Sequence, residues 1–278
     1  MATILAGCGF TDTTGSPPEA LSAEDDRPED DRVDGDRADD DPRLGGHEVV
    51  WQVHPPLGLV PVTVAQTAVP TVTVYGDGLV LMADGVDHSA TGHPVELRSA
   101  RLGGAALRAL LERADASDVF ARPAPDFGHL AVTDLGETVL VFRTSHGEVV
   151  HRSVYGLGVE RYAGEDLSPE QRELRIEFQE LIAEARADVG ETTRYEPPRV
   201  EVNDLSGRGQ DLSGGRRWPG PPFSELFRGT DDCAVVHGDV ARTVFAAALD
   251  NPGIRWTAEG ENRELVVRAL VPGQQPCQ

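Results

Sequence analysis

The sequence predicts an α+β fold in which an antiparallel sheet, built from hairpins, carries three main helices after a disordered acidic N-terminal segment. Short runs of alternating apolar and polar residues, joined by glycine-rich turns, are typical of hairpins. Three longer runs repeat apolar residues at helical spacing. The chain of 278 residues is 39% apolar but only 5% aromatic, so Val, Leu and Ala must fill its core.

The first eight residues, MATILAGC, end in the box Leu-Ala-Gly-Cys, which in bacterial lipoproteins precedes cleavage and lipid modification of the cysteine. We therefore interpret residues 1–8 as the remnant of a signal peptide and Cys8 as the lipidation site. Export also requires a basic segment and an apolar segment of roughly 7–15 residues before the box. Only four residues precede it, so we expect a start codon assigned too far downstream. The alternative is a cytoplasmic protein with an ordinary Cys8.

Residues 9–46 are predicted to be a disordered acidic tether. Within them, residues 24–41 (EDDRPEDDRVDGDRADDD) carry eleven acidic residues against three arginines, and such a segment cannot bury apolar surface. A self-repelling chain of this kind would hold a domain away from a bilayer. The triplet at residues 34–36 (Asp-Gly-Asp) suggests calcium, but the twelve-residue loop pattern is absent, so a solvated linker is the preferred interpretation.

Short alternating segments after residue 47 predict three hairpins. Each has two strand-like runs joined by a turn that contains glycine, where a positive φ is sterically cheap. The YGDG sequence of the first turn lacks GxGxxG spacing and is not followed by a helix, so phosphate binding is not expected. The paired runs are residues 69–75 with 79–82, 137–143 with 148–151, and 254–257 with 264–268.

Three segments predict helices. Residues 104–114 place Leu and Ala on one face at helical spacing. The second helix begins at Ser168, because Ser168 and Gln171 form a capping box. Asp239 is expected to cap the third helix, which the Asn-Pro-Gly sequence at residues 251–253 stops.

These elements divide the folded part of the chain into three segments. Residues 47–190 form an α+β domain with two hairpins and two helices. Residues 191–232 are a connection rich in Gly, Pro and Arg. Residues 233–278 form a C-terminal strand-helix-hairpin unit bracketed by Cys233 and Cys277. No run of 18 apolar residues occurs, so no membrane span is predicted.

Net charge and basic-residue type exclude several function classes. The formal net charge is −22, whereas nucleic-acid binding relies on a basic surface that releases counterions from phosphates. We therefore expect no nucleic-acid partner. All 25 basic residues are Arg. Schiff-base lysines, the phosphate-binding lysine of P-loops and serine–lysine acyl transfer are thus excluded.

Cysteine usage predicts one modified thiol, Cys8, and one disulfide between Cys233 and Cys277. An exported protein would form this bridge and a cytoplasmic one generally would not. Closing a loop of that length contributes roughly 4 kcal/mol to stability in the chain-entropy model. A zinc site is not favoured, because no CxxC or CxxH motif accompanies either cysteine.

Several of these features together resemble uncharacterised actinobacterial secreted lipoproteins. They are the Cys8 box, the acidic tether, the strand-turn TVTVYGDGLV, the helix ending in ASDVF, the LSPEQR helix start and the unit bracketed by Cys233 and Cys277. The resemblance implies export and lipidation. It implies no catalytic residues, because that group has no established activity.

No catalytic constellation, metal site or cofactor is predicted. His146 and His151 flank a turn, and His88 and His93 share a polar loop, but neither pair has a defined third ligand. There is no GxSxG motif. The candidate ligand-binding residues are Arg216, Arg217 and Trp218, where a basic, glycine-rich loop with an aromatic ring would accept an anion or glycan. The alternative for this segment is a flexible surface loop.

These observations favour a lipid-anchored cell-envelope protein on the extracytoplasmic face of the cell membrane. Its α+β domain is expected to bind an unknown envelope protein or ligand, with the membrane contacted through the lipid anchor. One alternative is a secreted hydrolase with unrecognised acid/base residues. The other is a cytoplasmic interaction protein, which follows if the box before Cys8 is coincidental.

Overall fold

The structure, a computed structural model, describes residues 41, 43–84, 93–162, 166–187, 189–206, 214–229, 232–251 and 254–277. Asp40–Gln278 form one compact unit. Cys8 with its box, residues 1–40 of the predicted signal remnant and tether, and His88 lie outside the described residues. Their predicted roles therefore stay predictions.

The α+β prediction is confirmed. The first sheet has seven strands in the order β6-β5-β1-β2-β3-β4-β7, and every neighbouring pair is antiparallel. The predicted hairpins β2–β3 and β5–β6 both lie in it. Its strands are β1 Val49–His54, β2 Val72–Tyr75, β3 Leu79–Ala83, β4 Leu97–Arg101, β5 Glu137–Arg143, β6 Val149–Tyr155 and β7 Thr193–Arg194.

The strands divide between two sheets. The second sheet has the order β10-β8-β12-β11-β9, antiparallel except for the parallel pair β9–β11. It contains the third predicted hairpin, β11–β12. Its strands are β8 Arg199–Asp204, β9 Arg216–Arg217, β10 Cys233–His237, β11 Arg255–Ala258 and β12 Glu261–Ala269.

The three predicted helices are present as α2, α3 and α5, and two shorter helices accompany them. The helices are α1 Val62–Thr67, α2 Gly104–Ala116, α3 Pro169–Ala187, α4 Phe223–Leu226 and α5 Gly238–Leu249. Segments of six and four residues are too short for apolar periodicity to reveal, which is why α1 and α4 were not predicted. Among the described helices none combines the length and hydropathy that crossing a bilayer requires.

The start of α3 follows the predicted capping box. The backbone N–H of Gln171 donates to Ser168 Oγ at 3.2 Å, and the N–H of Ser168 donates to Gln171 Oε1 at 2.9 Å. Two amides that the first helical turn leaves without partners are thereby satisfied.

The turn between β2 and β3 shows why glycine stands there. Gly78 has a φ of 81°, which a residue with a side chain rarely adopts. At Gly76 a Cβ atom would lie 2.0 Å from the carbonyl oxygen of Arg43. The Gly-Asp-Gly turn therefore also lets the start of the folded unit pack against the hairpin.

Residues 43–46 belong to the folded unit, although the sequence placed them in the tether. Arg43 is only 5% exposed. Its guanidinium donates to Asp115 Oδ2 at 2.8 Å and to the carbonyl oxygen of Arg143 at 3.3 Å, and it lies 5.7 Å from the centre of the Phe142 ring. Leu44 packs on the core behind it.

Two apolar clusters hold the sheets and helices together. The first lies between α2, α3 and the inner face of the first sheet, where Trp51 and Phe142 meet in an edge-to-face contact at 5.9 Å. The second joins the second sheet and α5 to the outer face of β2, β3 and β4. Tyr75, on that outer face, is fully buried and donates its hydroxyl hydrogen to the carbonyl oxygen of Pro272 at 3.0 Å.

Candidate functional site

The outer face of β1, β5 and β6 carries a cavity that side chains of all three strands line. Successive side chains of a strand point to opposite faces, and Trp51, Leu140 and Phe142 are buried on the inner face. The outer face therefore receives the residues between them: Gln52, His54, Val139, Val141, His151, Ser153 and Tyr155.

A groove of about 630 Å³ opens on this face. Val139 and Val141 are partly buried on its floor, and Leu57, 39% exposed, forms one wall. His54 and His151 also line it. Cavities of roughly 300–1,000 Å³ with apolar walls and a few polar groups are typical of small-molecule sites.

The two histidines of the groove interact electrostatically. Burial lowers the pKa of His54 below its ordinary value, and the positive charge that His151 takes on when protonated lowers it further. His54 Nε2 lies 2.9 Å from Gln52 Oε1, and Gln52 Nε2 donates to Thr73 Oγ1 at 3.1 Å. Because an amide oxygen only accepts, the hydrogen is on Nε2, and the neutral ring keeps a lone pair on Nδ1.

The other polar groups around the groove are engaged by neighbours. The Tyr155 hydroxyl donates to the carbonyl oxygen of Val132 at 2.8 Å and accepts from the N–H of Leu135 at 3.1 Å. Ser153 Oγ donates to Glu137 Oε2 at 2.5 Å. The serine therefore contacts a carboxylate and not an imidazole, so the pair of contacts that activates a serine nucleophile is not formed at Ser153.

The candidate ligand residues at positions 216–218 separate in the structure. Arg216 and Arg217 are exposed on β9, and Arg216 Nη1 donates a hydrogen bond to the carbonyl oxygen of Asp250 at 3.1 Å. Trp218 is only 4% exposed and meets the Trp256 ring edge-to-face at 5.2 Å. Its ring is part of the core, so it does not offer a stacking surface. An anion site at the two arginines stays a prediction.

The predicted disulfide between Cys233 and Cys277 is present, with 5.7 Å between the Cα atoms. Beside it, Glu201 is 3% exposed and accepts from the N–H of Cys277 and from Arg268, each at 2.8 Å. Asn203 Nδ2 donates to the same carboxylate at 2.8 Å. Burial alone would raise the pKa of Glu201, but these hydrogen bonds outweigh it and hold the pKa below its ordinary value.

The fold brings together two histidines, His54 and His151, that the sequence did not suggest as a pair. His146 lies in the turn after β5, whereas His151 lies on β6 and acts electrostatically on His54 of β1. His93 is described, but His88 is not. The alternating sequence VVWQVH of β1 could have indicated part of this site. It places Gln52 and His54 on the face of the strand opposite to the buried Trp51 and Val53.

A second cavity, of about 360 Å³, lies between the β7–β8 link and α5. Its two arginines already have acidic partners, because Arg194 pairs with Glu96 at 3.5 Å and Arg242 pairs with Asp239. This cavity is therefore a weaker candidate for an anion than its arginines suggest. The groove over β1, β5 and β6 is the better candidate site.

Comparison with known proteins finds no family model that matches this chain, and no curated protein or solved structure that is similar to it.

Proposed function

We propose that this chain is a lipid-anchored cell-envelope protein that binds an apolar small molecule in the groove over β1, β5 and β6. The groove carries the proposal, because its volume of about 630 Å³ suits a small ligand and its floor of Val139 and Val141 suits an apolar one. His54 and His151 offer hydrogen-bonding partners for a polar group on the same molecule.

The proposed location on the extracytoplasmic face rests on the box before Cys8, and the disulfide between Cys233 and Cys277 supports it. Disulfides persist in oxidising compartments and are rare in the cytoplasm. The lipid on Cys8 would then contact the membrane, and the folded unit would meet its ligand outside the cell.

Binding in the groove is tested with the fluorescence of anilinonaphthalene sulfonate, a dye that reports apolar sites. Val141→Asp places a carboxylate on the groove floor, so we expect dye affinity to fall about tenfold, which is ~1.4 kcal/mol. Val240→Asp is the matched control, because Val240 is 43% exposed on α5. Equal dye affinity in the two variants would exclude the groove as the site where the dye binds.

The location is tested separately by the intact mass of the natively expressed protein in membrane and soluble fractions. We expect a membrane-bound species that begins at Cys8 and carries a diacylglyceryl group. A soluble species that begins at Met1 or Ala2 with free thiols would instead favour the cytoplasmic interaction protein. The dye experiment is independent of this result.

A further inference from the structure

Three side chains of types that can bind a metal ion lie together at the disulfide. A carboxylate oxygen of Glu201 and the sulfur atoms of Cys233 and Cys277 all lie within 4.8 Å of one another, the one such group of three in the described part of the chain. The β8–β10 register explains part of this, because Cys233 pairs with Asn203, two residues from Glu201 and on the same face. The C-terminal segment adds Cys277.

We propose that reduction of the Cys233–Cys277 disulfide creates a binding site for Zn²⁺, with the two thiolates and Glu201 as ligands. Thiolates and carboxylates are established zinc ligands, and three protein ligands leave a fourth tetrahedral position for water. The disulfide form offers no thiolate. The site therefore exists only in the reduced protein.

The chemistry balances with a small dithiol as the reductant. The dithiol transfers two electrons and two protons to the bridge, the S–S bond breaks, and the reductant leaves as a cyclic disulfide. When Zn²⁺ binds, Cys233 and Cys277 each lose a proton to solvent and each forms a sulfur–zinc bond. Cys277 is exposed, so a reductant reaches the bridge from outside.

Charge favours zinc at this position. A zinc ion with two thiolates and one carboxylate has a net charge of −1, and the guanidinium of Arg268 neutralises it. Arg268 Nη2 already lies 2.8 Å from both oxygens of Glu201. A neutral cluster reduces the cost of burying charge, which is severe for an unpaired ion.

One of the hydrogen bonds that Glu201 accepts has to break when the metal binds. The carboxylate of Glu201 accepts from Asn203, from Arg268 and from the backbone N–H of Cys277. Cys277 is exposed and lies outside the strands and helices, whereas Asn203 and Arg268 lie on strands, so the N–H of Cys277 is the donor that moves most easily. The remaining bonds from Asn203 and Arg268 keep the carboxylate oriented, as outer partners of metal ligands do.

The test measures Zn²⁺ affinity by competition with a chromophoric chelator, in a Cys8→Ser background so that only two thiols are present. We expect the reduced protein to bind one equivalent of zinc and the oxidised protein, which keeps the same histidines and carboxylates, to bind far less. Co²⁺ in place of Zn²⁺ should give a thiolate-to-cobalt charge-transfer band in the reduced protein only. Equal affinities in the two redox states would overturn the proposal.

The role of Glu201 is tested with Glu201→Gln in the reduced protein. We expect zinc affinity to fall more than about tenfold, the lower bound for losing even an outer partner of a ligand. Glu264→Gln is the matched control, because Glu264 is also buried in the second sheet, at 7% exposure, but lies outside the cluster. An unchanged affinity in Glu201→Gln would exclude the carboxylate as a ligand.

Reduction could also loosen the fold, and a second measurement covers that case. The thermal midpoint of the reduced protein, followed by circular dichroism, should rise with zinc, whereas that of the oxidised protein should not. A reduced protein that unfolds and that zinc fails to refold would contradict a preformed site.

Discussion

Trp218 shows at the scale of a single residue how a local pattern misleads. The sequence places it directly after two arginines in a glycine-rich loop, which favours a ligand-binding interpretation. In the structure its indole N–H donates to the carbonyl oxygen of Pro221 at 3.0 Å, and its ring packs on Trp256. Position 256 is far along the chain, so the residues around position 218 do not reveal this contact.

We expect Trp218→Ala to lower the free energy of unfolding by about 3–5 kcal/mol, the cost of removing a buried large aromatic ring. Arg217→Ala should change it by no more than ~0.5 kcal/mol, because Arg217 is exposed. Chemical denaturation of both variants measures the difference. Similar small losses in both would place Trp218 outside the core.

His54 should make stability depend on pH. Its pKa is lowered in the folded protein by burial, from an ordinary value of 6.5, so the unfolded chain binds the proton more readily. The free energy of unfolding therefore falls as the pH drops through 6.5 towards the lower folded pKa. Chemical denaturation between about pH 7.5 and pH 5.5 should show a shallower decline in His54→Gln than in the wild-type protein, and equal declines in the two would contradict this role of His54.

At the scale of one element, α3 is anchored by a buried charge. Arg175 is fully buried and donates to Glu160 Oε1 at 3.0 Å, to the carbonyl oxygens of Tyr155 and Gly156 at 2.8 Å, and to that of Phe127 at 3.3 Å. One side chain thus ties the helix to the end of β6 and to two loops. The apolar periodicity of the helix gave no sign of it.

We expect Arg175→Ala to lower the free energy of unfolding by about 3–5 kcal/mol, since it removes the cation that Glu160 is shown to pair with and takes a charged donor from three carbonyl oxygens. Glu180→Ala, at an exposed position of the same helix, is the control and should stay within ~0.5 kcal/mol. A loss in Arg175→Ala no larger than the control's would mean that packing alone holds α3.

Individual strands and helices could be predicted from the sequence better than the way in which the strands pair into sheets. Hairpins and the capping box of Ser168 and Gln171 depend on residues close together in the sequence, and these predictions are confirmed. The division into two sheets depends on pairings between distant segments, such as β9 with β11. The groove was not predicted for the same reason: His54, Val141 and His151 come from three strands that meet only in the sheet.

For the whole molecule, the start of the folded unit can be located by truncation. A chain that begins at Asp41 keeps the contacts of Arg43, and a chain that begins at His47 loses them. The hydrogen bond between the charged groups of Arg43 and Asp115 alone is worth about 1.5–3 kcal/mol, so we expect the shorter chain to be less stable by at least that amount in chemical denaturation. Arg43→Ala in the longer chain should reproduce most of that loss; equal stability of the two chains would place the boundary at residue 47.

The disulfide also determines how the molecule bears load. Cys277 is joined to Cys233, 44 positions earlier. A pull applied to the chain at residue 277 is therefore transmitted through the bridge to β10, and the segment between the cysteines cannot be extended. In a single-molecule experiment the extended length of the oxidised protein should be shorter than that of the reduced protein by about 150 Å.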